Sequence, residues 1–115
     1  MKKIYYLSTC STCKKIIQEL NLNDDFEFQD IKTTKITAEQ LQEMANLSGS
    51  YESLFSKRAI KYKTMELKNK ALSEKDYQKL ILEEYTFLKR PVIIINDAIF
   101  VGNSAKTIAA AKQLL

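Results

Sequence analysis

The N-terminal region, up to residue 31, constrains the fold most, because it predicts a strand, a helix and a second strand in that order. Residues 4–7 are apolar and aromatic, as is typical of a strand buried on both faces. Apolar side chains then recur at helical spacing over residues 11–21. Residues 26–31 alternate apolar and polar side chains, which predicts the second strand. Together these elements predict a βαβ unit with a right-handed crossover.

The middle of the chain predicts helices. Thr37 stands three residues before Gln40, which is a capping-box signature, and Gly49 is expected to end that helix. A second clear helix is predicted to begin after Ser73. Shorter helical pieces are expected between residues 54 and 67.

The C-terminal part predicts a β-hairpin followed by a helix. Residues 91–95 and 98–101 are apolar stretches joined by a turn at Asn96 and Asp97, and the last helix follows Ser104. The order βαβ, helices, ββα predicts an α/β protein with a thioredoxin-like, mixed four-stranded sheet and a helical insert subdomain. We expect a single domain over residues 1–115. Its thioredoxin-like core would comprise residues 1–32 and 88–115, and the helical insert residues 33–87.

The absence of histidine excludes several kinds of site. A Ser-His-Asp triad, a Cys-His dyad and a histidine-ligated zinc cannot form in this sequence. The formal net charge of +4 is modest and spread along the chain, so direct nucleic-acid binding is not expected.

Membrane insertion and secretion are not expected either. The longest apolar runs, such as residues 92–95, fall far short of the ~18–20 residues of a spanning helix. The apolar stretch near the N-terminus is also too short for a signal peptide. We therefore expect a cytoplasmic protein whose thiols are kept reduced.

The two cysteines form a C-x-x-C motif at the predicted turn between the first strand and the first helix. Zinc would need a second cysteine pair or histidine ligands, so no metal is expected. The unpaired N–H groups at a helix start favour an anion, which lowers the pKa of a thiol there. We therefore interpret Cys10 as the nucleophile and Cys13 as the resolving thiol, with a packing role for both as the alternative.

The same helix start is a candidate anion-binding site. Three nearby side chains would contribute hydroxyl groups or charge to it: Ser11, Thr12 and Lys14. Helix capping alone is the alternative role for the hydroxyl groups.

Arg58 and Arg90 are the only arginines, against sixteen lysines. A guanidinium group can bind an oxyanion in a planar, bidentate manner. Arg90 directly precedes Pro91, and in thioredoxin-like folds a cis proline before this strand lies beside the reactive cysteine. We therefore expect Arg90 and Pro91 at the site, although the cis bond itself cannot be predicted from the sequence. An exposed surface position is the alternative for each arginine.

With Cys10, Cys13, Arg58 and Arg90 followed by Pro91 in this order, the whole chain resembles the ArsC/Spx family. This resemblance implies the chemistry of glutaredoxin-linked arsenate reductases, in which a cysteine attacks arsenate and three arginines hold the oxyanion. Cys10, Arg58 and Arg90 match the cysteine and two of the arginines. No bound cofactor is implied. An external thiol donor, either glutathione with glutaredoxin or thioredoxin, would complete the cycle.

Two features of the sequence depart from that reductase pattern. Lys106 is the only cation near the position of the third arginine, and a lysine is a point charge without the arginine fork. Cys13, in contrast, matches the second cysteine of Spx and would allow an internal disulfide.

Two functions follow from the resemblance. The first is a monomeric thiol oxidoreductase of the arsenate-reductase type that acts on a small oxyanion or a disulfide. The alternative is an Spx-like redox-sensing transcriptional regulator that binds RNA polymerase. Spx-like proteins usually carry a basic tail beyond the last helix, whereas this sequence ends at Leu115, so we expect the enzyme.

Overall fold

The computed structural model describes all 115 residues, which form four strands and five α-helices. In chain order they are β1 (Lys2–Tyr6), α1 (Ser11–Leu20), β2 (Glu27–Asp30), α2 (Ala38–Ser48), α3 (Ile60–Thr64), α4 (Glu74–Glu83), β3 (Val92–Ile95), β4 (Ala98–Val101) and α5 (Ala105–Lys112). Three short 3₁₀ turns are also present: Glu52–Leu54, Leu67–Asn69 and Tyr85–Phe87.

The chain divides into two compact units. The first, called the sheet unit here, comprises Met1–Lys35 and Arg90–Leu115. The second, called the helical unit, comprises Ile36–Lys89.

The sheet unit contains one sheet with the strand order β2-β1-β3-β4. β1 pairs in parallel with β2 and antiparallel with β3, so the sheet is mixed. β3 and β4 form an antiparallel hairpin through a turn at Asn96 and Asp97, as predicted. The predicted α/β class and four-stranded mixed sheet are therefore confirmed.

The core of the sheet unit lies between one face of the sheet and the helices α1 and α5. Ile4 of β1 pairs with Ile93 of β3, which places both side chains on the same face. The buried members of this core are Ile4, Ile16, Leu20, Phe26, Ile93, Ile95, Ile108 and Ala111. The βαβ unit thus holds α1, and with it the start of that helix, against the central strands.

The strand β2 has an exposed aromatic and a buried polar side chain. Phe28 is 41% exposed, although it pairs with the core residue Ile4, and Gln29 is buried. The apolar residues that are buried, Phe26 and Ile31, flank the strand. Gln29 is accommodated because its amide donates a hydrogen bond of 3.1 Å to the carbonyl of Thr34.

The helical unit is organised by the helix signals that the sequence predicted. Thr37 and Gln40 form a reciprocal capping box at the start of α2, and Gly49 ends that helix with φ of +107°. Ser73 and Asp76 form a second capping box at the start of α4. Phe55 lies in the centre of the unit, stacked on Phe87 with ring centroids 5.0 Å apart. None of the helices of the chain is both long enough and apolar enough to cross a membrane.

Candidate functional site

Cys10 lies between the end of β1 and the start of α1, as the sequence predicted. A turn over residues 7–10 is closed by a hydrogen bond of 3.0 Å from the Cys10 N–H to the Leu7 carbonyl. Cys10 then serves as the N-cap residue of α1 in an extended conformation. The first N–H groups of α1 have no partner within the helix, so the start of the helix favours a negative charge at the Cys10 side chain.

The surroundings of Cys10 favour its thiolate. Partial burial opposes ionisation, but hydrogen bonds from the Cys13 backbone and thiol and from the Thr12 backbone lower the pKa of Cys10. The positive charge of Arg90 lowers this pKa further. The net result is a pKa below the usual value of a thiol, so more of the nucleophilic form is present at neutral pH.

Cys13 has the opposite tendency. Burial, and then the neighbouring Cys10, raise the pKa of Cys13 to about 11, although a hydrogen bond with the Leu7 backbone and the charge of Arg90 lower it. Both cysteines are free thiols in this structure, and Cys13 is fully buried. The two sulfurs are therefore unequal: Cys10 is accessible and acidic, whereas Cys13 is sheltered and protonated.

Arg90 lies two residues before β3, in a segment with a cis peptide bond. The Arg90-Pro91 peptide bond is cis. The Pro91 carbonyl accepts a hydrogen bond of 2.9 Å from the N–H of Gly102, at the end of β4. Gly102 has φ of +91°, a conformation that favours glycine. The half-buried Arg90 side chain acts electrostatically on both thiols.

The remaining predicted site residues lie on three separate elements. Ser11, Thr12 and Lys14 are exposed on the first turn of α1. Lys106 is exposed on the first turn of α5, where Ser104 caps the helix. Arg58 is exposed in the turn that precedes α3 in the helical unit. Of all the predicted residues, the structure thus brings together Cys10, Thr12, Cys13 and Arg90.

Asp30 is a residue that the sequence analysis missed. Its Oδ1 accepts hydrogen bonds from the backbone N–H of Ser8, at 3.3 Å, and of Lys32, at 3.1 Å. The Ser8 side chain is the main cause that lowers the pKa of Asp30, partly offset by burial. Ser8 belongs to the turn that carries Cys10, so Asp30 fixes that turn to the end of β2.

The chain also offers no cluster suited to a metal ion. No three of its Cys, Asp and Glu side chains lie close enough together to hold one.

The family follows from a match along nearly the whole chain. The sequence model of the ArsC family matches residues 5–111. The chain belongs to the ArsC family. It is also 25% identical over 105 residues to the global transcriptional regulator Spx 2 of Bacillus anthracis, a match that covers 89% of this chain and 79% of that protein. Both parts of the predicted ArsC/Spx resemblance are therefore confirmed.

Solved structures of ArsC relatives share the fold. An ArsC family related protein from Bacteroides fragilis superposes with a TM-score of 0.79 at 23% identity, covering 99% of this chain and 97% of that one. Arsenate reductase from Vibrio cholerae gives a TM-score of 0.75 at 19% identity, with the same coverage of both chains. These likenesses confirm the thioredoxin-like ArsC fold. Proteins of the ArsC family use no bound cofactor.

Proposed function

We propose that this ArsC family protein is a thiol oxidoreductase in which Cys10 attacks an oxidised substrate and Cys13 resolves the resulting adduct. The observation that carries this proposal is the position of Cys10 at the start of α1, where the backbone of Thr12 and Cys13, the Cys13 thiol and the charge of Arg90 all lower the pKa of its thiol. Thiolate chemistry needs such stabilisation of the nucleophile, together with a nearby thiol.

For a disulfide substrate, the reaction is two successive exchanges. The Cys10 thiolate attacks one substrate sulfur, a Cys10–substrate disulfide forms, and the other substrate sulfur leaves as a thiolate. Deprotonated Cys13 then attacks the Cys10 sulfur and releases the second substrate thiolate. The two protein thiols have supplied two electrons and now form a Cys10–Cys13 disulfide.

For arsenate, the same residues carry an equivalent sequence. The Cys10 thiolate bonds to As(V) and displaces an arsenate hydroxyl group, which takes up a proton from solvent and leaves as water. Cys13 then attacks the Cys10 sulfur, and the electron pair of the sulfur–arsenic bond passes to arsenic, which leaves as As(III) arsenite. In both sequences an external thiol donor, thioredoxin or glutathione with glutaredoxin, reduces the Cys10–Cys13 disulfide and completes the cycle.

The unequal thiols suit this order of events. While Cys10 is an anion, its charge and its hydrogen bond help to hold Cys13 protonated. Once Cys10 is covalently bound to substrate, both of these contributions to the raised pKa of Cys13 disappear. The Arg90 charge and the hydrogen bond with the Leu7 backbone remain, and both favour the Cys13 thiolate. Attack at Cys10 thus prepares Cys13 for the second step.

The cationic and hydroxyl side chains are proposed to select an oxyanion. Arg90 would bind it in the planar, bidentate manner that a guanidinium group permits. Ser11, Thr12 and Lys14 would add donors at the start of α1, and Lys106 would take the place of a third arginine. The family resemblance implies that Arg58 also binds the oxyanion, and this role stays a prediction. Replacing Arg58 by lysine keeps the charge and removes the fork, so a raised KM for arsenate with unchanged disulfide turnover would support it.

The test is turnover of arsenate and of a small-molecule disulfide, each measured with thioredoxin and with glutathione plus glutaredoxin as donors. Cys10→Ser is expected to lower turnover of the accepted substrate by at least about a hundredfold, because the nucleophile is lost. Cys13→Ser is the matched control, since it makes the same chemical change three residues away. It is expected to trap a Cys10 adduct, visible by intact-protein mass, that only an external thiol resolves. Full turnover by Cys10→Ser would refute the proposal.

A second candidate function is an Spx-like redox-sensing regulator, favoured by the likeness to Spx 2 of B. anthracis. Here the Cys10–Cys13 disulfide would be the signal, and RNA polymerase the partner. Co-purification of the reduced and oxidised protein with purified RNA polymerase tests it. Binding that depends on the redox state, without turnover of either substrate, would establish the regulator in place of the enzyme.

A further inference from the structure

The helical unit has an uneven distribution of charge. Residues 57–70, called the basic segment here, contain six basic side chains and a single acidic one, Glu66. The rest of the unit carries three basic and seven acidic side chains. The basic side chains of the segment are Lys57, Arg58, Lys61, Lys63, Lys68 and Lys70. Positive charge is thus concentrated in one stretch of an otherwise acidic unit.

The basic segment contributes little to the core of the helical unit. The helix α3 has no buried residue, and Leu67 is the buried residue of the segment. Tyr62 is half-buried, and its ring makes an edge-type contact with the ring of Phe55 at a centroid distance of 6.0 Å. Lys61 is held by an ion pair of 2.7 Å with Glu84. The other five basic side chains form no ion pair within the chain and are exposed.

Two large apolar side chains lie among these cations. Ile60 is 80% exposed, more than any other large apolar residue of the chain, and Met65 is 42% exposed. Burying an isoleucine side chain stabilises a fold, and this fold gains no such stabilisation at position 60. Exposed apolar side chains that alternate with unpaired cations along the chain fit a protein interface, in which an apolar centre is bordered by a polar rim.

We propose that the basic segment is a docking surface for a partner protein that presents carboxylates around a shallow apolar pocket. Ile60 and Met65 would enter the pocket, and the lysines around them would face the carboxylates. Complementary charge would speed association and orient the partner. This proposal goes beyond the thiol chemistry, because Ile60, Met65 and the lysines of the segment have no part in the proposed steps at Cys10, and Arg58 alone is also predicted to bind the oxyanion.

Two other classes of partner fit the segment less well. Single-stranded nucleic acid is bound through aromatic side chains that stack on bases, whereas the aromatic residue here, Tyr62, is turned toward Phe55. A membrane surface is bound by a longer amphipathic helix, whereas α3 has five residues. An acidic protein is the partner that can bind the cations through its carboxylates and also bury the exposed Ile60.

The test is an NMR titration of the reduced full-length protein with an acidic peptide rich in Glu and Leu. Backbone amide shifts are expected within residues 57–70. The analogue peptide with Leu replaced by Ser, and raised ionic strength, are each expected to weaken binding several-fold. Ile60→Ser and Lys63→Glu should each weaken it about tenfold. Lys75→Glu makes the same charge change at an exposed position of α4 and is the matched control. Its affinity for the peptide should stay within about twofold of the wild type.

Several results would overturn the proposal. These are amide shifts confined to other residues, equal effects of Lys75→Glu and Lys63→Glu, and no effect of Ile60→Ser. Tighter binding of a single-stranded DNA oligomer or of anionic vesicles to the same residues would assign the segment to another class of partner. Both substituted positions are exposed, so unchanged spectra elsewhere would show that the variants fold. The titration does not use the thiols, so its failure would leave the proposed oxidoreductase function unaffected.

Discussion

Asp30 connects the end of β2 to the turn that carries Cys10, through hydrogen bonds from Ser8 and Lys32. Asp30→Asn replaces an acceptor-only carboxylate with an amide and should lower the free energy of unfolding by about 1 kcal/mol at neutral pH. The pKa of Asp30 is lowered in the folded protein, mainly by the Ser8 side chain. Its stabilising contribution is therefore present above the unfolded pKa of about 4 and lost as pH falls through the folded pKa.

Urea unfolding of the wild type and of Asp30→Asn, at neutral pH and at about pH 2.5, measures this contribution. The rate of Cys10 alkylation by iodoacetamide provides a second readout, because a displaced turn alters the N–H groups around the sulfur. Asp24→Asn, at an exposed position before β2, is the matched control. The same alkylation rate for Asp30→Asn and the wild type would show that Asp30 does not position Cys10.

The sequence could predict only half of this arrangement. An aspartate followed two residues later by a free N–H is the pattern of an Asx turn, and Asp30 and Lys32 have that spacing. Ser8, however, lies 22 residues away along the chain. Cys10 itself was predicted at the helix start, because its position depends on the local C-x-x-C motif and the helical period that follows it.

The starts of α2 and α4 have reciprocal capping boxes, in which the hydroxyl group of Thr37 or Ser73 accepts one helix N–H and the side chain three residues later accepts the N–H of the cap residue. Thr37→Ala and Ser73→Ala should each lower the free energy of unfolding by about 1 kcal/mol. The two effects should add, because the caps belong to different helices. Thr64→Ala, at the end of α3, removes an exposed hydroxyl group without a cap and should change stability by less than about 0.5 kcal/mol.

Chemical denaturation of the three variants and of the double variant measures these differences. A loss from Thr64→Ala equal to the loss from either cap variant would show that the capping hydroxyl groups contribute nothing specific.

Whether an element could be predicted depended on whether its signal was local. The caps at Thr37 and Ser73, the helix end at Gly49 and the turn at Asn96 each involve residues within a few positions of one another. The exposure of Phe28 in β2 could not be predicted in this way, since it depends on neighbours that are distant in sequence. β2 is an edge strand, and Phe28 packs against the ring of Tyr6 at 6.1 Å rather than into the core.

At the scale of the whole molecule, Cys13 should make stability depend on pH in the alkaline range. Its pKa is about 11 in the folded protein and about 9 as an ordinary thiol. The folded state keeps the proton that the unfolded state loses, so this stabilisation is complete below pH 9 and declines as pH rises to about 11. The decline amounts to about 2–3 kcal/mol.

The measurement is the difference in unfolding free energy between the wild type and Cys13→Ala across this pH range. The difference should shrink with rising pH, while lysine and tyrosine titrations cancel because both proteins contain them. Cys10 is ionised in the folded protein throughout this range, and its contribution ends once the unfolded thiol, with its ordinary pKa of about 9, is ionised as well. A difference that stays constant with pH would contradict the raised pKa of Cys13.

The sequence predicted the architecture of the molecule because the spacing of its apolar residues differs between three regions. The first predicts a strand, a helix and a strand, the second predicts helices, and the third predicts a hairpin. Along the sequence, the boundaries of the two compact units fall between Lys35 and Ile36 and between Lys89 and Arg90. That residues 1–115 act as one domain, with an insert at 33–87, stays a prediction. The unequal acidity of the thiols could not be predicted in full, since the charge of Arg90 acts on Cys10 from 80 residues further along the chain.

The pairing of β1 with β3 has a consequence for biosynthesis. Lys2 pairs with Ile95, so the first strand made by the ribosome waits for a neighbour that is made near the end of translation. A short helix such as α1 is marginal without tertiary packing, and Arg90 is translated just before β3. A nascent or truncated chain that stops before Arg90 should therefore carry two ordinary thiols. The lowered pKa of Cys10 would therefore arise only once Arg90 and β3 are in place.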